Sequence, residues 1–471
     1  MNLSLQFDKG TILLYGAEKH QLQFLNGLSW DERTNCFRAP AAEYRKLVTD
    51  LRKHKITYND NARKFSAVTF PLKKKITPRY FQTEAAEAWI PEKRGVVTLP
   101  TGAGKTILAV MLIARIGRPT LIHVPTIDLM GQWNAVLNEY FDIKIGLLGG
   151  GVNDIQLITV ATYDSALLHV PYRGDQFGLL VFDECHHLPG EQFKFTALGS
   201  IAPFRLGLTA TPERSDGKEK VLYELCGPLC YETHIDELSG KTLAPYLVKT
   251  IEVEMLPEDR EQYEISRKCY IDFLGKARIS FKHPNGWSIF LRRTSESPEG
   301  REAFRAYLMQ KKLSQASEAK EELLWKLILK HKGDRMLVFT QDNEMAYRMG
   351  SNFYLPVLTH HTKLPEREAF LTAFRTGEYP VLITSKVLNE GIDVPEANVG
   401  VIVSGSGSIR EHVQRLGRIL RARPGKQALL YELVSKDTGE YFTNQRRRQH
   451  RAYEGPALFQ DETWQNTAKI Y

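Results

Sequence analysis

Leu99-Pro100-Thr101-Gly102-Ala103-Gly104-Lys105-Thr106 follows the apolar pair Val96 and Val97 and opens a run with helical spacing: Ile107, Leu108, Val110, Met111 and Ile113. A glycine-rich turn between a strand and a helix points several backbone N–H groups inward at the positive end of the helix, which makes a cradle for phosphate. Thr101, Gly102, Ala103 and Gly104 supply the backbone of that cradle. Lys105 would place its ammonium on the β- and γ-phosphates of a nucleotide, and the Thr106 hydroxyl would reach a magnesium ion. The longer phosphate-loop pattern has another glycine where this chain has Leu99.

A second apolar run, Leu179-Leu180-Val181-Phe182, ends in Asp183-Glu184-Cys185-His186-His187. Two adjacent carboxylates at the end of a buried strand are costly unless an ion offsets them. Asp183 has the chemistry to hold Mg²⁺ through its water shell, and Glu184 is placed to orient and deprotonate an attacking water. The plainer alternative is a strand capped by a helix-starting aspartate; the phosphate loop upstream favours the catalytic reading. Read as one continuous strand, Cys185, His186 and His187 would point to opposite faces, which argues against a metal site there.

Far downstream, Gln414-Arg415-Leu416-Gly417-Arg418-Ile419-Leu420-Arg421 lies on a helical run that sets Arg418 and Arg421 on one face. An arginine brought to a γ-phosphate from a separate domain is worth roughly 10³ to 10⁵ in rate. The pattern predicts a nucleotide held between two sheets, one carrying Lys105 and the carboxylates, the other the arginines.

A chain of 471 residues has room for several domains, and its 42% hydrophobic and 25% charged content is that of a globular protein. No apolar run approaches the ~20 residues that span a bilayer, and the start of the chain carries no secretory signal pattern. A cytoplasmic location is expected, nucleoid-associated if prokaryotic or nuclear if eukaryotic. Five scattered cysteines argue against a disulfide framework. Cys226 and Cys230 lack a second pair at zinc-finger spacing and read as thiols. A net charge of +8 favours a polyanionic partner.

In order along the chain, residues 1–70 read as a small α+β domain, with Pro71 to Lys75 as a boundary linker. Residues 76–240 alternate strand and helix, which implies a parallel sheet with helices on both faces. Residues 241–320 break that alternation and read as a linker with a helical insertion. Its aromatics and bases (Phe281, Trp287, Arg292, Arg293) either track a nucleic-acid strand or pack inward in a helical hairpin. Alternation returns over 321–440, and 441–471 is a basic polar tail, with Arg446, Arg447, Arg448 and Arg451.

Together these stretches resemble the superfamily 2 helicases, and within them the XPB family, above all its archaeal and bacterial members. The resemblance runs from about residue 76 to 440. Arg79-Tyr80-Phe81-Gln82 resembles the adenine-reading motif, with Phe81 where the family commonly has tyrosine. Pro125 and Thr126, Thr162, Thr340 and Thr384 fall in stretches that resemble DNA-backbone motifs. Thr209-Ala210-Thr211 resembles the element that couples nucleotide state to DNA grip. Gly391 and Asp393 fall where the second sheet contacts nucleotide. The resemblance implies two RecA-like domains, a small N-terminal damage-recognition-like domain and a helical thumb-like insertion. It also implies ATP with Mg²⁺, a 3′→5′ motor on double-stranded and forked DNA serving nucleotide excision repair, and a partner nuclease or repair factor. The family's Arg-Glu-Asp triplet, linked to strand separation, here reads Arg214-Ser215-Asp216, so translocation without unwinding stays open. So do two rivals: a motor acting on RNA or in a restriction or remodelling system, and a nucleotide-gated DNA-binding scaffold for a nuclease.

Overall fold

The computed structural model describes residues 3–20, 22, 25, 27–211, 217, 219–238, 246–281, 283, 285–385, 397–404 and 428–441, with the backbone of 459–464. The chain divides into two compact units, one built on Met1–His234 and the other on the residues from Ile235 onward.

The first unit begins with strands β1 (Leu3–Asp8), β2 (Thr11–Tyr15), β3 (Ser29–Asp31), β4 (Cys36–Pro40) and β5 (Tyr58–Asp60), and with helix α1 (Tyr44–Lys53). They form a sheet of order β3-β4-β2-β1-β5. The β1–β2 turn uses Lys9 and Gly10, both at positive φ (44° and 81°), the geometry that two-residue hairpins require. Leu47 and Leu51, spaced four apart on α1, bury against Leu3, Leu5, Ile12 and Leu14. Ile201, from the neighbouring sheet domain, completes this core.

The chain from Lys64 into the expected linker, Pro71 to Lys75, is bonded along the sheet domain. Lys64 N donates to Asp175 O at 3.0 Å and its ammonium meets the Asp175 carboxylate at 2.8 Å. Val68 N donates to Gly117 O at 3.0 Å, Lys73 N to Tyr140 O at 2.8 Å, and Leu72 bridges Phe141. Arg45 on α1 adds a bond to Glu92 O at 2.9 Å. These backbone groups find partners on the neighbouring domain rather than in water, so the segment that joins the two domains is tethered along its length.

Next come α2 (Tyr80–Trp89), β6 (Arg94–Thr98), α3 (Lys105–Ile116), β7 (Thr120–Val124), α4 (Ile127–Tyr140), β8 (Ile145–Gly149), β9 (Val152–Asp154), β10 (Ile158–Thr162) and α5 (Tyr163–Arg173). The unit closes with β11 (Leu179–Asp183), α6 (Lys194–Leu198), β12 (Phe204–Thr209), α7 (Glu219–Cys226) and β13 (Leu229–Glu232). Their sheet has the order β13-β6-β12-β11-β7-β10-β8-β9, parallel except at the β8–β9 hairpin. Strands β7, β10 and β11 are buried throughout, as expected with helices on both faces. Thr98 pairs with Thr209 and Asp183 with Leu208, so the phosphate loop and the carboxylates leave the same sheet edge. Arg205 is buried and, among the described residues, meets no carboxylate; its guanidinium donates to the carbonyls of Leu225, Ala197 and Ser200 at 2.7, 2.9 and 3.2 Å.

The second unit contains α8 (Ile235–Leu238), β14 (Tyr246–Val253), α9 (Pro257–Lys276), α10 (Gly286–Glu296), α11 (Pro298–Gln315), α12 (Glu318–Lys330) and β15 (Met336–Phe339). It continues with α13 (Asn343–Phe353), β16 (Val357–Leu358), α14 (Leu364–Thr376), β17 (Val381–Thr384), β18 (Val399–Ile402), β19 (Ala428–Ser435) and β20 (Phe459–Trp464). The sheet order is β16-β17-β15-β18-β19-β14-β20, all parallel.

Two expectations are corrected here. Residues 241–320 are not wholly linker and helices: β14 pairs with β19 over its whole length, its alternating Leu247-Val248-Lys249-Thr250-Ile251 supplying a buried face. The tail from 441 is not wholly a polar extension, since Phe459–Trp464 adds a strand to β14. In α9–α11 the aromatics pack inward: Tyr270, Trp287, Phe304 and Tyr307 surround a fully buried Phe290 at ring distances of 5.5 to 6.2 Å. Arg293 pairs with Glu296 at 3.2 Å. The helical-hairpin alternative is the one observed, although Phe281 and Trp287 remain half-exposed.

His123 on β7 is fully buried, stacks on Phe182 at 4.5 Å, and places Nδ1 3.3 Å from Val181 O. Burial pulls its imidazole down to about 3, so the folded chain holds it neutral while the unfolded chain binds a proton below the ordinary histidine value of 6.5. Stability from this group is therefore intact above about pH 6.5 and is lost as pH falls towards 3. His123→Phe should remove about 2 kcal/mol of the loss in unfolding free energy between about pH 6.5 and pH 5, read from denaturant curves. Parallel pH curves for the two proteins would count against this.

A candidate nucleotide site at the end of the first sheet

The phosphate loop leaves β6 with its first amide bonded to the neighbouring strand, Leu99 N to Thr209 O at 3.0 Å. Gly102 and Gly104 both have left-handed backbones, φ 83° and 86°, and Gly104 is the N-cap of α3, whose first residue is Lys105. A side chain at Gly104 would meet Gln82 at 2.6 Å, so strain and space both demand glycine. Lys105 Nζ lies 3.5 Å from Glu184 Oε1. Thr101 Oγ1 is buried without a hydrogen-bond partner, and Thr106 follows Lys105 in the first turn of α3.

Gln82 is committed on both sides of its carboxamide. Oε1 accepts from Arg79 N at 2.9 Å, while Nε2 donates to Ala103 O and Gly104 O, both at 3.1 Å. It braces the phosphate loop from α2. Phe81 is wholly buried beneath it, and Arg79 is exposed at the N-cap.

Asp183 is buried at the end of β11. Its Oδ2 accepts from the Trp133 indole at 2.7 Å and its Oδ1 from Glu184 N at 3.0 Å. Burial raises the carboxyl to about 6; repulsion from Glu184 adds to this, while Lys105 and the two donors pull the other way. Glu184 has φ 46°, an uncommon conformation for a non-glycine residue and one that collects at functional turns. The residues after it form a short 3-10 turn, Cys185–His187, and not a continuation of the strand, so the argument from opposite strand faces does not apply. His186 Nδ1 instead lies 3.4 Å from Glu184 Oε2 and 3.2 Å from Thr209 Oγ1. Thr209 Oγ1 in turn donates to Thr211 O at 2.9 Å and accepts from Thr211 N at 3.2 Å. A polar path thus links the carboxylate turn to Thr209-Ala210-Thr211. Sequence reasoning weighed His186 only as a metal ligand and placed Trp133 only at the end of a stretch resembling a DNA-backbone motif; their positions beside Glu184 and on an amphipathic helix were the signals available for the contacts seen.

The expected DNA contacts divide. Pro125 precedes Thr126, whose hydroxyl caps α4 by accepting from Leu129 N at 3.2 Å, and Thr162 caps α5 by accepting from Ser165 N at 3.3 Å. Both hydroxyls are engaged in capping, which leaves backbone N–H groups at the helix starts to meet a phosphate. In the second unit Thr340 and Thr384 are wholly buried, and Thr340 Oγ1 donates to Asp342 O at 2.9 Å. Direct contact through those two side chains is ruled out by burial; they shape the loops after β15 and β17. Arg214, Asp216, Gly391, Asp393, Gln414, Arg418 and Arg421 lie outside the described residues.

A parallel sheet carrying a phosphate loop, a braced lysine and a buried carboxylate pair, with a second parallel sheet in the same chain, defines a nucleotide-binding protein of the RecA-like helicase class. Family profiles are specific. The XPB helicase damage recognition domain matches residues 5–62, the ERCC3/RAD25/XPB C-terminal helicase 310–458, and the type III restriction enzyme res subunit 75–214. The DNA 3′-5′ translocase XPB2 of Sulfurisphaera tokodaii is 40% identical over 90% of this chain and 96% of its own length. The DNA 3′-5′ helicase XPB of Mycobacterium tuberculosis is 31% identical over 78% of this chain and 63% of its own. Among solved structures, the Hef helicase domain of Pyrococcus furiosus superposes with a TM-score of 0.52 at 19% identity, covering 79% of this chain and 98% of that one. Yeast Dbp5 bound to RNA and ADP BeF3 gives 0.56 at 15%, covering 82% and 90%; both likenesses concern the fold. The chain belongs to the XPB family of superfamily 2 helicases.

Gln82→Leu removes the brace from two phosphate-loop carbonyls. It should weaken nucleotide binding about tenfold, and equally for ATP and GTP, because its amide is committed to the loop. A loss confined to ATP, in fluorescence titrations of both nucleotides, would assign Gln82 to reading adenine instead.

Proposed function

We propose that this chain is an ATP-dependent DNA helicase and duplex translocase of 3′→5′ polarity. It couples ATP hydrolysis to the opening or remodelling of double-stranded and forked DNA in nucleotide excision repair. The observation that carries this reading is Lys105 at 3.5 Å from Glu184, beside the buried Asp183, on the sheet edge from which the phosphate loop departs. Family membership supports it, as does the basic balance of the chain, which suits a polyanionic track.

In this mechanism the glycine loop and Lys105 bind the β- and γ-phosphates. The residues present fit a magnesium ion: Asp183 is a buried carboxyl raised by desolvation and a like charge, a cost that a divalent cation removes. Thr106 and Asp183 would hold that ion, which when bound neutralises developing charge on the transferred phosphoryl group. Glu184 orients water for in-line attack and takes its proton. His186 senses the same carboxylate and relays its state to Thr209 and Thr211. Arg418 and Arg421, with Gln414, approach the γ-phosphate from the second domain, and nucleotide turnover then becomes strand movement. A partner nuclease or repair factor would make any incision, since the motor residues described transfer phosphoryl groups only from nucleotide.

Lys105→Ala and Glu184→Gln should each abolish DNA-stimulated ATPase, and Arg418→Ala should lose turnover while keeping nucleotide affinity; near-normal turnover in the first two would overturn the site. DNA affinity that responds to nucleotide while wild-type hydrolysis stays negligible would favour a scaffold. Strand displacement measured beside triplex displacement separates unwinding from translocation.

Trp133→Phe removes the indole donor and lets the Asp183 carboxyl rise further. The magnesium concentration needed for half-maximal ATPase should increase about tenfold near neutral pH, and more at lower pH, where protons compete for the carboxylate. A pH-independent effect would show that the indole acts by packing alone.

A further inference from the structure

Asp183 and Glu184 share one peptide unit, and both of its edges are bonded. The Glu184 amide donates to Asp183 Oδ1 at 3.0 Å, and the Asp183 carbonyl accepts from the Tyr163 hydroxyl at 3.0 Å. Tyr163 reaches that carbonyl from another element. It is the first residue of α5, directly after β10, whereas Asp183 ends β11, and β7 lies between those two strands. On the way its ring passes His123 of β7, at 5.7 Å between centroids, with Phe193 at 5.3 Å and His187 at 6.2 Å.

The hydroxyl is a committed donor. Tyr163 is 1% exposed, and burial pushes its phenol well above the ordinary value of 10.0, with nearby thiols and carboxylates acting in the same direction. It therefore keeps its proton at any pH near neutrality. Packing alone would be met by phenylalanine, which fills neighbouring places in the same cluster as Phe177 and Phe182. What the hydroxyl adds is the bond to the carboxylate turn.

That bond bears on Glu184. Its φ of 46° lies where a non-glycine backbone is held only if the surroundings over-determine it. Rotation about φ starts from the Asp183–Glu184 peptide, so fixing that plane fixes the direction in which the Glu184 side chain leaves. At its far end Oε1 lies 3.5 Å from Lys105 Nζ, and Oε2 lies 3.4 Å from His186 Nδ1. We propose that Tyr163 is a positioning residue for ATP hydrolysis: its hydroxyl ties that peptide to the first turn of α5 and so keeps the Glu184 carboxylate in line to orient water. The turn takes its orientation from α5 as well as from β11. A carboxylate displaced by about 1 Å would cost up to roughly a hundredfold in rate. The proposal rests on Glu184 being the water-orienting group, as given above.

The test uses the full chain, with steady-state ATPase at saturating duplex DNA and fluorescence titration of ADP. Tyr163→Phe keeps the ring and should lower kcat about tenfold. KM for ATP and Kd for ADP should stay within about twofold, because the phosphate loop is untouched. The magnesium concentration for half-maximal ATPase should also hold, in contrast to Trp133→Phe, since the hydroxyl meets a backbone carbonyl and not a carboxylate oxygen. Phe193→Leu loosens the packing on the ring while keeping the hydroxyl; it should lower the thermal midpoint and leave kcat within about twofold. An unchanged kcat in Tyr163→Phe, a loss carried by KM or by the magnesium requirement, or an equal loss of kcat in Phe193→Leu would each overturn this proposal and leave the nucleotide site as described. Near-normal turnover in Glu184→Gln would overturn the water-orienting reading, and this proposal with it.

Discussion

The structure depends on one buried negative charge and what surrounds it. Asp183 sits buried at the end of a strand, held by the Trp133 indole, by the amide of its own neighbour, and by proximity to Lys105. In the folded chain these contacts only partly offset desolvation, and the carboxyl stays near 6. A site that remains electrostatically unfinished favours whatever cationic ligand completes it. That is why the strand order matters: it sets Asp183, the phosphate loop and Thr209 on one edge, so a single ligand satisfies several costly groups together.

Most of this could be read from the chain because the signals were strong locally. Strands β7 and β17 begin and end where their apolar runs do, and the phosphate loop needs only glycines between a strand and a helix. What escaped was non-local. Nothing near Trp133 in sequence announces its bond to Asp183, which exists only once β11 lies beside α4, and His186 was judged on the assumption of a straight strand, which the left-handed backbone of Glu184 breaks. Strand β14 was hidden because its partner β19 lies far away in sequence, and parallel pairing leaves no local turn to announce it. Thr340 and Thr384 show the reverse case, in which burial limits what a side chain singled out from its motif can reach.

The second unit carries its own constraint. Lys320 is wholly buried, its ammonium bonded to Glu440 Oε2 at 2.6 Å and to Val403 O at 3.0 Å. Glu440 also accepts from Ser435 N at 3.1 Å, and Ser435 Oγ donates to Ser314 O at 2.6 Å. Breaking such a pair from one side strands a charge in the interior, so the helices of the insertion are fixed to the sheet by a polar clasp as well as by packing. The aromatic cluster around Phe290 then serves rigidity within the hairpin.

The bonded stretch from Lys64 to Lys73 gives the N-terminal module a fixed bearing on the sheet that holds the nucleotide loop. A module mounted this way has no independent swing: whatever it meets is held at a constant offset from the phosphate-loop edge. The module is bolted to the engine block and shares that sheet's frame of reference.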